Sequence, residues 1–232
     1  MKVQIFGSLL ALVTANAFSQ GTIQFNNRVV GTTTSAVVAP VFGVDVSDPY
    51  TRKYGQPASA ATAPIPAGTQ TYGGSALVGS GFTASIWARP SGSSGPYVFA
   101  AATPFRAAGS TSTPGFWVIP NTAAVLPNVP SDPAVRAEII IRVWDNKGGT
   151  ITSWDQLYDA ATGLPSFLSY TVAHGESLPF TEIDQLGGGT VLPPTLRGLQ
   201  SFQLYSVPEP GAISLLAMGL ASVCFLRRRS RH

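Results

Sequence analysis

Five carboxylates are the side chains in this sequence best suited to chemistry. Asp155 and Asp159 are four residues apart on a predicted helical turn, Glu182 and Asp184 are two apart, and Asp145 ends a predicted strand. Two carboxyl groups about 5–10 Å apart can hydrolyse a glycosidic bond, and carboxylates also bind calcium. Their spacing matches no calcium-binding loop of the EF-hand type. We therefore expect solvated turn residues here, with a glycan hydrolase as the alternative.

The other catalytic signals in the sequence are weaker. His174 is the one histidine between the two ends, so a histidine-rich metal site is excluded and a Ser-His-Asp triad would depend on this residue alone. Residues 79–84 fit the G-x-G-x-x-A pattern of dinucleotide-binding proteins, but they lead into a predicted strand instead of a helix. We therefore predict no catalytic residues, no cofactor and no metal, and a surface loop around His174.

The elements that would position these residues are short strands. β-branched or alternating stretches separated by Gly, Pro, Ser and Asn clusters indicate an all-β body, arranged as a β-sandwich or jelly roll over residues 20–206. The predicted strands are 22–30, 36–46, 81–88, 97–101, 116–119, 137–145, 167–173 and 199–205. Residues 153–161 are predicted to form a helical turn and residues 48–73 a long surface loop.

Two tryptophans occupy unusual positions in the predicted strands. The two-residue period places Phe82, Ala84, Ile86 and Ala88, and likewise Ile139, Ile141 and Val143, on the core side. It places Trp87 and Trp144 on the opposite, more polar side. Exposed indole rings stack well on sugars, so the two rings are a candidate glycan platform. The alternative is that the 153–161 turn, the 48–73 loop or another layer covers them as packing residues.

The charge distribution argues against nucleic acid as a partner. The whole chain has 14 basic and 11 acidic residues, but five of the basic residues lie at the two ends. The segment between Phe18 and Ser206 contains nine basic and ten acidic residues. A near-neutral body cannot supply the counterion release that drives binding to nucleic acid.

The N-terminus has the three regions of a secretory signal peptide. Lys2 precedes an apolar run over residues 3–13, and Ala15-Asn16-Ala17 supplies a small-x-small cleavage site. We predict a signal peptide over residues 1–17, with cleavage after Ser19 as the alternative position. A buried N-terminal helix is the structural alternative. The signal peptide predicts that the chain is exported.

The C-terminus combines a short motif, an apolar segment and a basic tail. Sixteen apolar or small residues, 211–226, are marginal for crossing a hydrocarbon core about 30 Å thick. The basic residues after them place the tail in the cytoplasm and the body outside, as the signal peptide also requires. The motif consists of Val207, Pro208, Glu209 and Pro210, and the cytoplasmic anchor of Arg227, Arg228, Arg229 and Arg231. Cys224, the one cysteine, lies in the apolar segment, so the body can form no disulfide.

These C-terminal features resemble the PEP-CTERM sorting signal over residues 207–232. The resemblance implies a transmembrane segment and an exosortase, a membrane enzyme that processes the signal, as partner. It also favours an association of the body with extracellular polysaccharide. We therefore predict a non-enzymatic surface, matrix or adhesive protein that is anchored in the membrane before processing and then lies at the cell surface or outside it. The alternative function is the secreted glycan hydrolase.

Overall fold

The computed structural model describes residues 19–31, 35–58, 65–109, 114–158 and 165–207, and within them most of the regular secondary structure is strand. The all-β prediction is confirmed. The strands are β1 (Gln20–Ile23), β2 (Arg28–Val29), β3 (Val37–Val38), β4 (Val41–Phe42), β5 (Phe82–Pro90), β6 (Val98–Pro104), β7 (Ala124–Pro130), β8 (Ala137–Asp145), β9 (His174–Glu176), β10 (Phe180–Thr181) and β11 (Phe202–Gln203). Three single-turn 3-10 helices span Lys147–Gly149, Trp154–Gln156 and Phe167–Tyr170.

The central sheet is built on the two longest strands. Its order is β10-β8-β5-β6, and β9 also pairs with β8. β5 and β8 are antiparallel over their whole length, from Phe82 opposite Asp145 to Pro90 opposite Ala137. The bounds of β8 are those predicted from its alternating pattern. Asn146 then ends the strand, because its side-chain amide donates to the Ser80 carbonyl over 2.7 Å.

The main hydrophobic core lies on the predicted face of this sheet. Six of the seven side chains assigned to the core are buried there, and Phe82 is partly buried against them. Short strand pairs cover this face: β1 with β7, β2 with β3, and β4 with β11. They contribute residues such as Ile23, Val41, Leu126 and Phe202 to the same core.

Several predicted strands are shorter or of another type. Residues 22–30 and 36–46 each contain two separate short strands. Buried Asn27 interrupts the ladder, because its side-chain amide donates to the carbonyls of Ala39 and Gly115. Residues 116–119 form only an isolated bridge at Trp117. Residues 167–173 were wrongly predicted as a strand, since they begin with a 3-10 helix and the strand starts at His174.

The predicted surface loop 48–73 is partly a structural element. Its first residues run antiparallel beside the last strand of the body. The amide of Ser206 donates to the carbonyl of Pro49 over 2.8 Å, and the amide of Gly55 donates to the carbonyl of Ser201 over 2.9 Å. Leu204 bonds on its other side to Phe42 of β4. The last strand of the body is therefore enclosed on both edges, and residues 201–205 are buried.

Several predictions concern residues outside the described ranges. These are the signal peptide over 1–17, the apolar segment 211–226 with Cys224, the motif residues Pro208, Glu209 and Pro210, and the arginines that follow. Within the part of the chain that the structure describes, no helix is long and apolar enough to cross a membrane.

Candidate functional site

The second face of the central sheet is also covered, and it buries the two tryptophans. Trp144 is 1% exposed and Trp87 is 8% exposed. The indole N–H of Trp144 donates to the Ile151 carbonyl, and that of Trp87 to the Ser85 hydroxyl, each over 2.9 Å. Both rings are therefore covered, as the packing alternative predicts, and the surface exposure that a glycan platform needs is wrong. Glycan binding by Trp87 and Trp144 remains an untested prediction, but Trp144 has no open ring face to offer a sugar.

A short turn helps to cover Trp144. The Trp154–Gln156 3-10 helix starts at Ser153, and the side chain of Gln156 accepts a hydrogen bond from the Ser153 amide over 3.1 Å. This cap directs Trp154 and Leu157 inward, where Trp154 meets Trp144 edge-on with 6.3 Å between ring centroids. The predicted turn is thus one 3-10 turn in this region. Its last residues, 159–161, lie outside the described ranges.

Arginines and aromatic rings alternate along the outer margin of this second face. Its members are Arg52, Trp87, Arg89, Tyr97, Glu138, Arg142, Glu176 and Tyr205, which we call the arginine–aromatic face. The guanidinium carbons of Arg89, Arg142 and Arg52 lie 4.3, 4.6 and 4.4 Å from the rings of Tyr97, Trp87 and Tyr205. Guanidinium groups stack favourably on such rings.

Two carboxylates pair with the three guanidinium groups of the arginine–aromatic face, so one positive charge of the five groups is left over. Glu138 pairs with Arg89 over 2.7 Å and also accepts a hydrogen bond from the Tyr97 hydroxyl. These two contacts hold the pKa of Glu138 below its usual range, and the hydrogen bond from Tyr97 has the larger effect. Glu176 bridges Arg142 at 3.4 Å and Arg52 at 3.6 Å. All five charged groups remain partly open to solvent.

His174 is a core residue, so the prediction of a surface loop histidine is wrong. Its side chain is completely buried, with Nδ1 2.7 Å from the Val172 carbonyl and Nε2 2.6 Å from the Tyr158 hydroxyl. Tyr158 continues to the Tyr205 hydroxyl at 3.1 Å, which accepts a hydrogen bond from Arg52. Burial lowers the pKa of His174, which favours the neutral ring. These partners fit a structural role and supply no nucleophile for a triad.

The predicted carboxylates are mostly bound to nearby backbone or to a cation. Asp145 accepts the Lys147 amide and pairs with the Lys147 ammonium, each at 2.9 Å. Glu182 is fully buried, where it accepts the amides of Asp184 and Arg197 at 3.0 and 3.1 Å. Burial raises the pKa of Glu182 to about 7. A general acid would have such a pKa, but this carboxyl has no exposed surface from which to protonate a substrate.

The remaining predicted carboxylates are Asp155, Asp159 and Asp184. The carboxylate of Asp184 lies 3.6 Å from the guanidinium of Arg197. Asp155 lies exposed on the 3-10 turn, and Asp159 falls outside the described ranges. The described residues contain no group of three or more histidine, cysteine, aspartate or glutamate side chains that could hold a metal ion.

Sequence reasoning missed Arg52, Tyr158, Glu176 and Tyr205. Arg52 lies in a segment predicted as a loop, and the tertiary fold brings it to Tyr205 from 153 positions away. No local pattern reports a contact of that separation. The two-residue period of β5 and β8 also places Arg89, Arg142 and Glu138 on the more polar strand face with the tryptophans.

Comparison with known proteins assigns a family motif to one end of the chain. Residues 206–230 match the model of the PEP-CTERM protein-sorting motif, which confirms the resemblance noted in the sequence. This motif indicates a protein that is exported and processed by an exosortase. No curated protein and no solved structure matches the chain.

Proposed function

We propose that this protein is a non-enzymatic component of the cell surface or extracellular matrix that associates with polysaccharide. In this proposal the 211–226 segment anchors the exported chain in the membrane until an exosortase processes it. The sorting motif, which follows the last buried strand of an all-β body, is the observation that carries the proposal. The tail arginines support the orientation, because positive residues remain on the cytoplasmic side.

The burial and ion pairing of the candidate carboxylates support a non-enzymatic role over a glycan hydrolase. Retaining and inverting glycosidases need two carboxyl groups that both reach the bond being cleaved. Glu182 is buried and Asp145 is paired with Lys147. The polar groups near these candidates hold turns and strand ends in place.

The arginine–aromatic face is the surface that best suits polysaccharide. Sugar rings contact aromatic faces and edges, and guanidinium groups bind hydroxyl and carboxylate oxygens. Phe99 extends this face, because its ring meets Trp87 edge-on at 5.5 Å and it is 46% exposed. Phe99 and the partly exposed arginines, more than the two tryptophans, would then contact the polysaccharide.

The anchoring step is tested by replacing Arg227, Arg228, Arg229 and Arg231 with glutamine. The variant should lose membrane retention or exosortase processing, because its tail no longer resists translocation. Intact mass spectrometry of the surface form, from cells with and without the exosortase, measures whether residues after the motif are removed. Wild-type retention and processing of the variant would contradict the proposed anchor.

The polysaccharide step is tested with two matched substitutions. Phe99→Ala removes an exposed ring from the arginine–aromatic face, whereas Val125→Ala removes a side chain that is equally exposed, at 44%, on β7. Cosedimentation with the cell's own extracellular polysaccharide should fall for Phe99→Ala and remain unchanged for Val125→Ala. Equal binding by both variants, or no binding by the wild type, would contradict the proposal.

A further inference from the structure

The turn at residues 45–48 lies at the end of the body from which the sorting signal leaves. The last strand and residues 49–55 are antiparallel, with Ser206 bonded to Pro49 and Ser201 bonded to Gly55. Because the strands run in opposite directions, the residues before Pro49 continue past Ser206, on the side towards which the chain exits. The turn is closed by the amide of Asp48, which donates to the carbonyl of Asp45 over 3.1 Å.

The tip of this turn presents apolar side chains to solvent. Val46 is 93% exposed and Tyr50 is 58% exposed. Asp45 holds the turn rigid, since its carboxylate accepts the amide and hydroxyl of Ser47 and pairs with Lys53 at 2.9 Å. These contacts hold the pKa of Asp45 down at about 2. The turn thus holds a valine and a tyrosine outward, and the charge of Asp45 is paired with Lys53, while Asp48 is partly exposed.

The distance to the apolar segment is short. Three residues, Pro208, Glu209 and Pro210, separate Val207 from Gly211. The Cα atoms of Val207 and Gly211, four residues apart in the sequence, can therefore be at most about 14 Å apart. The headgroup region on one side of a bilayer takes up roughly 5–7 Å of that length. As a helix in the proposed anchor, 16 residues at 1.5 Å per residue would be shorter than the hydrocarbon core, which would draw the flanking residues towards the membrane.

We propose that the 45–50 turn is a membrane-contacting surface that docks onto the lipid headgroup region before processing. This inference rests on the proposed anchoring by residues 211–226. Val46 and Tyr50 are of the residue types that enter an interface, and tyrosine is enriched at headgroup level. The contact would hold the body upright on its anchor and fix which face of the body points away from the bilayer.

The test places one fluorescent probe at a time on the full chain in lipid vesicles. In a Cys224→Ser background, Val46→Cys is labelled with an environment-sensitive dye. The matched control is Leu192→Cys, which is 84% exposed on a loop whose neighbouring residue Pro193 bonds to Gln24 beside β1. The vesicles contain phosphatidylcholine with a fraction of headgroup-quencher lipid. We expect quenching at position 46 at least about twice that at position 192, with a blue-shifted emission.

A linker variant provides the second arm. Sixteen Gly and Ser residues inserted between Val207 and Pro208 span about 20–24 Å on average, so the body is no longer held against the lipid. Quenching at position 46 should then fall to that of the control while the chain still floats with the vesicles.

Each other outcome overturns the inference in a distinguishable way. Flotation with equal quenching at positions 46 and 192 refutes the docking turn and leaves the anchor in place. Failure to float refutes the anchor and the docking turn together. The dye at position 46 could also show a blue shift that grows with protein density but no quenching by the lipid. That result would identify a second copy of the chain, instead of the bilayer, as the partner of the 45–50 turn.

Discussion

Trp144→Ala is expected to destabilise the protein strongly, because the indole is buried in the hydrophobic cluster on the second face of the central sheet. Its ring packs with Trp154 and Leu157 and is 1% exposed. Truncating a buried tryptophan to alanine costs about 3–5 kcal/mol. For a body of this size each kcal/mol corresponds to roughly 2–4 °C, so the melting temperature should fall by about 6–20 °C.

Circular dichroism of the full chain in a mild non-ionic detergent measures this change. Trp144→Phe keeps most of the packing but loses the hydrogen bond to the Ile151 carbonyl, so its expected cost is about 1–3 kcal/mol. Phe99→Ala is the exposed control and should remain within about 1 kcal/mol of the wild type. A melting temperature for Trp144→Ala within about 2 °C of the wild type would refute the packing argument.

Two further predictions concern the N-terminus and pH. N-terminal sequencing of the exported protein should start at Phe18, because cleavage after Ala17 retains Ser19. The Ser19 hydroxyl lies 2.8 Å from the Ser131 hydroxyl, and the Ser19 carbonyl accepts the Ser131 amide, also over 2.8 Å. A start at Gln20 would identify the alternative cleavage site. Burial raises the pKa of Glu182 from its ordinary 4.5 to about 7, so the folded state binds the proton more tightly. Its contribution to stability is complete below pH 4.5 and is lost as pH rises through 7. Urea unfolding between pH 4.5 and 7.5 should show this fall, and an identical pH profile for Glu182→Gln would disprove it.

The sequence predicted the elements whose local pattern is strong. β8 has a clean two-residue period and contains no proline, so its bounds could be read directly. β7 escaped prediction because it contains Pro127 and Pro130, which usually exclude a strand. Its pairing with β1 includes a register shift beside Pro130. The two-residue strands are held by their tertiary partners and leave little periodicity to read.

The candidate site was predictable only in part. Alternation identified which strand face carries Trp87 and Trp144, but it cannot show what covers that face. The cover comes from the Trp154–Gln156 helix and Val172, and the outer partners of the arginines come from distant segments. The terminal motif, by contrast, depends on contiguous residues, so sequence alone was sufficient to identify it.

The enclosed last strand imposes an order of events on folding during export. Phe202 and Leu204 are fully buried core residues whose partners, Val41 and Phe42, leave the translocation channel some 160 residues earlier. The core therefore cannot close until residue 204 has crossed, when only a few residues remain before the apolar segment. A chain released early would lack its last strand and expose core surface to proteases. Under the proposed anchoring, completion of the fold would coincide with arrival of the sorting signal at the membrane, so an exosortase would receive substrates that have just become able to fold.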